Sequence, residues 1–576
     1  MSFVVLHNGR WRTPWAAYLR EMLAAEGFLG GKESSLPEGP TEGLAVLPAC
    51  WLTPEEQEAL ASFVAAGGTL LASRPPWRMA EVFGLKPTGR VAGEGYLRIP
   101  GDAAGLPLPG LEGLVLQCPA SMDLYDLADG EVLAWRCDPL EGSERYPALV
   151  AHPFGQGLAL ACTWDLAEGV VRLQQGRPSQ AAGQPESRPD GLDWSKPNDL
   201  FLGLLDARLR LIPQANVYQR LLGQLLESLA ARRGQPLLRR WPFPGGAPAL
   251  ATLTGDSDGM TRSHFEQVLS IVEGQGGRYT LYLMEEHRDL LSPAEAAALR
   301  RAGHGLGHHT WVGMTPTPEE MRNGVRRQFE GFRERYGFQP LSHRGHCCIW
   351  VGWAEQARIL SENGVRLDSN HYPYTHHQYG FLSGSGRPFR YVDERGTPLD
   401  LWEQPTLMSD DCMLQDKTGL PPFRLEEAID RSRELIDALV QCWHGVYHPC
   451  FHPVYMRRDW QFPYTAPWIE AVAAHCRERQ VPMLSAEEWA AFLLAQRSVR
   501  LLSLEPQAGG WKGRLQADQA VADLALLLPP GCSQATLNGA PVPLQTRSLE
   551  GQERTMLICD LPAGVPVVLE GRGLAR

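Results

Sequence analysis

The sequence predicts an α/β multidomain protein in which a (β/α) barrel of roughly seven or eight units lies between a flavodoxin-like α/β domain and a small β-sandwich. Its 576 residues exceed what one hydrophobic core ordinarily holds, so several domains are expected. Between about 240 and 495, apolar strand candidates alternate with capped helices, which is typical of parallel strands. After about 496 short strands follow, with a hairpin turn at Asn538-Gly539. We therefore predict domains at residues 1–238, 239–495 and 496–576.

Composition argues against several functional classes. The net charge of −12 argues against general nucleic-acid binding. No apolar run reaches the roughly 18 residues that a membrane span needs. The N-terminus shows no basic segment followed by an apolar run, so no secretory signal is visible and a cytoplasmic location is expected. The 12 cysteines include no Cys-x-x-Cys pair, which favours free thiols in a reducing compartment.

The N-terminal region alternates short apolar strands with capped helices, which predicts a parallel sheet wrapped by helices. Its segment LAVLPACWLTPEEQEALASFVAAGGTLLAS resembles the class-I glutamine-amidotransferase-like domain found beside some glycosidases. Working amidotransferases carry a nucleophilic cysteine on a tight turn after a strand, but no Gly-x-Cys-x-Gly occurs here, and Cys50 is expected as a core thiol. We interpret this domain as a non-catalytic module through which copies of the chain could associate. Residues 174–198, rich in Gln, Pro, Gly and Ser, are expected as an exposed loop.

Chemically active side chains follow nearly every strand candidate of the predicted barrel. Active sites of such barrels gather at the C-terminal ends of the strands. The sequence therefore predicts an active site at that end, from these residues: Asp256, Asp258, His308, His309, His343, Arg344, His346, Asp368, Glu403, Asp410, Asp411, His448 and His452.

Two carboxylates at i and i+2 after the first strand can divide the work of hydrolysis, one ligating a metal and the other accepting a proton from water. The run Thr-Gly-Asp256-Ser257-Asp258-Gly resembles the first motif, Thr-Phe-Asp-Asp-Gly, of the polysaccharide deacetylases, or NodB-homology family. The resemblance implies that Asp256 is the general base and Asp258 a metal ligand. Ser257 is an insertion relative to the family pattern.

The family's second motif begins with a histidine ligand, and His309-Thr310-Trp311 matches its start. Gly313 stands where the motif's second histidine is expected, and glycine has no side chain with which to ligate. The metal is thereby left one protein ligand short of the usual three.

The third motif in the family is Arg-x-Pro, and here it reads Arg344-Gly-His346, followed by Trp-x-Gly as in a divergent branch of these enzymes. The resemblance implies that Arg344 orients the catalytic aspartate. His346 is the candidate for the missing ligand, with a hydrogen-bonding role beside the ligands as the alternative. His304 and His308 are competitors, although both should face away from His309 along the strand.

The general acid for the leaving amine is a histidine on a late strand in this family. The stretch His448-Pro-Cys-Phe-His452 offers two candidates, which face the same side of an extended segment. His452 is favoured because it lies in the Phe-His-Pro run of the divergent branch, and His448 remains the alternative.

Further residues are candidates for substrate contacts. Asp368 could orient the acid histidine or line the substrate pocket, and Glu403 follows the next strand. Trp311 and Trp350 could stack on sugar rings, although core packing is the more common fate of tryptophan. The pair Asp410-Asp411 fits a solvated loop equally well.

The resemblance implies a metal-dependent hydrolase that removes an acyl group, most simply acetyl, from an N-acylated carbohydrate, acting on a non-peptide C–N bond. Zinc suits one carboxylate and two histidines with an open position, while Co, Ni and Mn stay open. Neither nucleic acid nor a membrane is expected as a partner. The alternatives are a glycoside hydrolase, in which Asp256 pairs with Asp368 or Glu403, and a carbohydrate-binding protein that has lost catalysis, as Gly313 suggests.

Overall fold

The computed structural model describes residues 3–36, 43–101, 105–140, 142, 144–180, 196–373, 378–415, 420–458 and 464–573. It is a mixed α/β multidomain protein, which confirms that class. The described α-helices are Leu19–Ala25, Pro54–Ala65, Leu166–Gln175, Gln214–Arg232, Arg262–Gly274, Pro293–Arg301, Pro318–Tyr336, Glu355–Glu362, Asp410–Leu414, Leu425–Ala438, Ala466–Glu478 and Ala486–Arg497. In the described part of the chain, none of them combines the length and apolarity needed to cross a membrane.

A nine-stranded sheet forms the N-terminal region. From edge to edge its strands are Gly31–Ser35, Phe3–His7, Leu44–Leu47, Thr69–Ser73, Gly157–Cys162, Glu144–Phe154, Glu131–Cys137, Gly95–Arg98 and Val115–Cys118. The first five pair in parallel and the rest antiparallel. A separate antiparallel pair joins Leu85–Ala92 to Met122–Leu127. Burial raises the pKa of the Cys50 thiol to about 12, so it is protonated at neutral pH. Kinship with amidotransferases stays a prediction.

The centre of the loop expected at 174–198, residues 181–195, lies outside the described residues. At its start, Gln174 and Gln175 are buried at the end of a helix. Gln175 satisfies its amide by donating to Val392 O at 3.0 Å and accepting from Val392 N at 2.8 Å. These bonds attach the N-terminal region to an edge strand of the next sheet.

A second nine-stranded sheet carries the predicted site. From edge to edge its strands are Phe389–Val392, Pro398–Glu403, Leu367–Asp368, Ser342–Gly345, Gly305–Thr310, Tyr279–Leu283, Leu253–Asp256, Pro449–Cys450 and Met408–Ser409, and a short parallel pair, Leu250–Ala251 with Val446–Tyr447, lies beside it. All neighbours are parallel except the first two strands.

This sheet curls but does not close. Among the described residues its two edge strands do not pair with each other, so the predicted barrel is a half-barrel. Helices on its outer side begin at capping boxes, as at Ser292 with Glu295 and Thr317 with Glu320, which satisfy the free N–H groups of the first turn. Because the strands are parallel, their C-terminal ends meet at one edge of the sheet.

Two five-stranded antiparallel sheets enclose a hydrophobic core at the C-terminal end. One contains Val499–Gln507, Gly510–Ala517, Val567–Arg572, Gln534–Leu537 and Ala540–Val542. The other contains Phe28–Leu29, Leu238–Arg240, Val521–Leu527, Gln552–Leu561 and Leu544–Leu549. This second sheet therefore joins strands from both ends of the chain. The division into three domains stays a prediction.

A buried ionic cluster lies beside this shared sheet. Arg239 contacts Glu26 at 3.0 Å, Glu227 at 3.1 Å and Glu550 at 3.1 Å, and its own exposure is only 3%. Burial opposes ionisation of Glu550, but Arg239, Arg554 and Arg220 together outweigh it and lower the pKa of this carboxyl well below its usual range. Arg239 thus compensates carboxylates contributed by three distant parts of the chain.

We expect Arg239→Met to destabilise the protein by about 3–5 kcal/mol at neutral pH, because it leaves buried carboxylates without their cation. A depressed carboxyl pKa contributes stability that is present above the unfolded pKa, near 4.5, and is lost as pH falls through the folded pKa. The difference in thermal unfolding midpoint between the variant and the wild type should therefore become smaller below about pH 4. Arg262→Met, at an exposed pair with Glu266, should leave the transition almost unchanged at every pH.

Candidate active site

Asp256 ends the first strand of the half-barrel, and Asp258 follows in the turn. Ser257, between them, donates its N–H to Tyr282 O at 3.0 Å and accepts from Met284 N at 3.0 Å through its hydroxyl. The serine therefore faces the adjacent strand, and extended backbone places the two aspartates together on the other side. The insertion relative to the deacetylase motif has this local function.

Gly255 permits a close approach of three strands just before Asp256. A Cβ at this position would lie 1.9 Å from Phe451 O and 2.0 Å from Tyr279 Oη. Tyr279 donates to Phe451 O at 2.6 Å, which fixes the two strands on either side. Close packing here brings the segment that carries His452 next to Asp256.

Asp258, His309 and His346 form a compact group of potential metal ligands. His309 Nε2 lies 3.4 Å from Asp258 Oδ2, and His346 Nδ1 lies 3.1 Å from Asp258 Oδ1 and 3.3 Å from His309 Nε2. Ligands about 2.0–2.2 Å from a tetrahedral zinc ion lie roughly 3.3–3.6 Å apart. The donor types and their spacing therefore fit one divalent ion.

Two further contacts support this fit. His309 Nδ1 lies 2.8 Å from Arg344 O, to which it can donate, and this leaves Nε2 with a lone pair facing the group. Asp258 Oδ1 is buried, and His346 Nδ1 lies 3.1 Å from it. Burial favours the neutral form of Asp258, but His309 and His346 outweigh it and lower the pKa of this carboxyl far below its usual range. Asp258 is therefore an anion.

The competing histidines lie elsewhere. His304 contacts Glu273 through Nε2 at 2.8 Å, and His308 is buried against the ring of Phe329 at 4.7 Å. Gly313 has a left-handed φ of +121°, and no heavy atom lies within 4 Å of the place a Cβ would take. Gly313 and His346 both line a shallow depression formed by these loops.

Arg344 forms hydrogen bonds with Asp256 and with neighbouring side chains. Its Nη1 donates to Asp256 Oδ1 at 3.0 Å, while Nη2 donates to Thr254 Oγ1 at 3.0 Å and Thr406 Oγ1 at 3.1 Å. His448 Nε2 lies 3.3 Å from the same Nη2. Arg344 is thus fixed by several partners while it donates to Asp256, as the sequence-based prediction that it orients this aspartate requires.

His448 is fully buried behind Arg344. Its Nδ1 lies 3.2 Å from both Gln404 O and Pro405 O. Burial, and then the charge of Arg344, lower its pKa to about 3, so this imidazole is neutral. The structure therefore places His448 under the arginine and does not bring it to the side of Asp256 that faces His309.

His452 lies beside Asp256 and is oriented by Asp410. Asp410 Oδ1 lies 2.6 Å from His452 Nδ1, and Asp410 Oδ2 accepts from the His452 backbone N–H at 2.6 Å. His452 Nε2 then lies 3.7 Å from Asp256 Oδ2. Burial opposes protonation of His452, but Cys450 and Asp410 outweigh it and raise its pKa well above the usual value. Because Cys450 is itself a thiol, with a pKa of about 11, Asp410 is the anion that acts near neutral pH.

Three predicted substrate residues lie inside the protein. Asp368 and Glu403 are fully buried. Asp368 lies 2.8 Å from His343 Nδ1, and Glu403 accepts from the backbone N–H of His371 at 2.8 Å. Trp350 stacks on Tyr391 in the core.

Trp311 alone of the predicted substrate residues stays at the site. It is partly exposed, and its ring packs edge-on against His346 at 4.7 Å between centroids.

Sequence reasoning left the role of Asp410 open, with a solvated loop as an equal alternative, and did not single out Cys450. Asp410 is buried at 1% exposure and is not part of a solvated loop. Its position directly after a strand candidate was the available signal. Cys450 lies between the two histidine candidates and was not singled out, because a lone cysteine there reads as core.

Comparison with known proteins gives structural likenesses only, since no family model and no curated protein matches. The chain is similar to Agd3, described as a novel carbohydrate deacetylase, at 11% identity and TM-score 0.40, over 100% of this chain and 99% of that one. It is similar to a putative polysaccharide deacetylase from Mycobacterium smegmatis at 19% identity and TM-score 0.35, over 46% and 97%. It is also similar to a family 4 carbohydrate esterase from Streptomyces lividans at 12% identity and TM-score 0.25, over 41% and 91%. All three TM-scores are low, so function has to follow from the chemistry of the side chains.

Proposed function

We propose that this protein is a metal-dependent hydrolase that removes an acyl group, most simply acetyl, from an N-acylated carbohydrate. One observation carries the proposal: Asp256 Oδ2 lies between the candidate metal ligands and a candidate acid, 3.8 Å from His309 Nε2 and 3.7 Å from His452 Nε2. Amide hydrolysis needs these elements in that order, because water must be deprotonated on one side of the scissile bond and the amine protonated on the other.

The residues of the chain then have distinct roles. Asp258, His309 and His346 would hold a divalent ion, with zinc as first choice, and this ion would supply Lewis-acid chemistry at the acyl carbonyl and at water. Asp256, held by Arg344, accepts the proton of the attacking water. His452, held by Asp410, donates a proton to the amine nitrogen as the C–N bond breaks.

Gly313 leaves space near His346 for an acyl group, because no heavy atom lies within 4 Å of the place that a Cβ at this position would take. Trp311, packed against His346, provides an aromatic surface for a sugar ring at its edge.

The glycosidase alternative has less support. It needs a second carboxylate across the sugar from Asp256. Asp368 and Glu403 are fully buried, and Glu403 also lies 3.1 Å from the hydroxyl of Tyr391. Burial and Asp368 raise the pKa of Glu403 well above its usual value, so this pair behaves as a core network.

Metal removal tests the proposal. Purified protein should contain about one equivalent of a divalent ion by elemental analysis and should release acetate from a panel of N-acetylated hexosamine oligosaccharides. Dialysis against a chelator should abolish acetate release, and Zn²⁺ or Co²⁺ should restore it. His346→Gln should lose metal and activity together, whereas His304→Gln, at a histidine outside the ligand group, should keep both. Acetate release by metal-free protein would contradict the proposal.

A further inference from the structure

A second cluster of ligand types lies directly beside the first. Asp256, Cys450 and His452 place a carboxylate oxygen, a sulfur and an imidazole nitrogen within 4.8 Å of one another. Cys450 Sγ lies 3.8 Å from Asp256 Oδ2, and His452 Nε2 lies 3.7 Å from the same oxygen. This group does not overlap with Asp258, His309 and His346.

Two of the three separations in this group are close to those around one tetrahedral ion. With metal–sulfur bonds of about 2.3 Å and metal–nitrogen or metal–oxygen bonds of about 2.0–2.2 Å, neighbouring ligand atoms lie roughly 3.3–3.7 Å apart. The two observed separations are at or just above the upper end of this range. Small side-chain movements would complete the coordination.

His452 has the orientation of a metal-ligating histidine. Its Nδ1 contacts buried Asp410 at 2.6 Å, which directs Nε2 toward Asp256 at 3.7 Å, and Cys450 Sγ lies 3.9 Å from the same Nδ1. A carboxylate on the far nitrogen is the arrangement that fixes the tautomer and raises the basicity of such ligands. This contact is independent of the cysteine and points to a cation on the same side.

Charge compensation is also present. Asp256 and Asp410 contribute two carboxyl groups, and a thiolate at Cys450 would add a further anionic group, next to the guanidinium of Arg344. A thiolate beside an imidazole and a carboxylate selects thiophilic ions such as Zn²⁺ and Cd²⁺ over Mg²⁺ and Ca²⁺. Two divalent ions side by side are tolerated in hydrolases when anionic ligands surround both.

We propose that Asp256, Cys450 and His452 form a second binding site for a thiophilic divalent metal ion, and that its occupancy inhibits the enzyme. On binding, the metal–sulfur bond replaces the S–H bond of Cys450, and the protons of the thiol and of His452 Nε2 pass to the buffer. The predicted inhibition rests on the proposed function, because the ion would bind both the proposed base and the proposed acid. The predicted binding of the ion does not depend on the proposed function.

Titration of the full-length protein with Cd²⁺ tests the site without catalysis. The first equivalent should bind Asp258, His309 and His346 with no sulfur ligand, and the second should produce the ultraviolet charge-transfer band of a cadmium–thiolate bond. Cys450→Ser should bind one equivalent and lose the band, with Cys450→Ala as a second variant. Cys347→Ser, at a partly exposed thiol next to His346, and Cys442→Ser, at an exposed thiol, are matched controls that should keep the band.

Activity provides the second measurement. Excess Zn²⁺ should inhibit acetate release by the wild type, and Cys450→Ser should raise the half-inhibiting concentration at least about tenfold, each protein being normalised to its own uninhibited rate. A band that survives both Cys450 variants, or that disappears in a control, would overturn the site. If no form of the protein releases acetate, the proposed function fails while the cadmium titration still decides the second site.

Discussion

Asp256→Asn is expected to lower kcat for acetate release by about 10²–10⁴-fold, the usual contribution of a general base. The amide keeps the volume of the side chain but cannot take a proton from water. The three proposed metal ligands are untouched, so the variant should keep its equivalent of metal.

Asp258→Asn is the matched control, since it makes the same chemical change two residues away. Asp258 lies 3.4 Å from His309 Nε2 and 3.1 Å from His346 Nδ1, so loss of its carboxylate should abolish both metal binding and activity. Elemental analysis of both variants separates the two roles. If Asp256→Asn loses its metal, or Asp258→Asn retains it, the assignment of base and ligand is wrong.

His452→Gln is expected to slow amide hydrolysis by about 10²–10⁴-fold, because the amine leaves with difficulty unless it is protonated. An acetyl ester of 4-nitrophenol needs no such proton, since its phenolate is a good leaving group. The variant should therefore lose far less activity on the ester than on the N-acetylated sugar. The ratio of the amide rate to the ester rate therefore reports proton donation, because general damage to the site would lower both rates.

His448→Gln supplies the comparison. His448 lies 3.3 Å from Arg344 Nη2, and Arg344 in turn donates to Asp256. Replacement of His448 should therefore slow hydrolysis of both substrates equally. An ester-sparing loss in His448→Gln, with a uniform loss in His452→Gln, would exchange the roles of the two histidines.

Motif spacing was informative where neighbours in the sequence are also neighbours in space. Asp256 and Asp258 share one side of an extended segment because side chains alternate along it. His309 and Arg344 lie at the ends of adjacent parallel strands, where they are register partners. His346, two residues beyond Arg344, therefore reaches the Asp258 group that the sequence predicted for it.

Burial could not be predicted in the same way. Asp368 and Glu403 stand at strand ends like the other candidates, yet they face each other as register partners inside the curled sheet. Trp350 is likewise in the core. A strand end only places a residue near the edge of the sheet. Which way its side chain points depends on the neighbouring strands that cover it.

The local sequence pattern also could not predict whether the barrel closes. The alternation of strands and helices predicts parallel pairing, because each helix returns the chain to the same end of the sheet. Whether the last strand meets the first depends on curvature accumulated over the whole sheet, and here the described edge strands remain apart.

By itself the sequence determined the α/β class and the edge of the sheet where reactive side chains gather. It also identified the following candidate site residues: Asp256, Asp258, His309, Arg344, His346 and His452. The sequence already favoured His452 over His448 as the acid, but only the tertiary structure placed His448 against Arg344 and brought Asp410 and Cys450 next to His452 and Asp256. The physical reason is that Asp410 directly follows the strand Met408–Ser409, which lies about 40 residues before Cys450 in the chain, and only the parallel pairing of Ser409 opposite Cys450 brings the two side chains together.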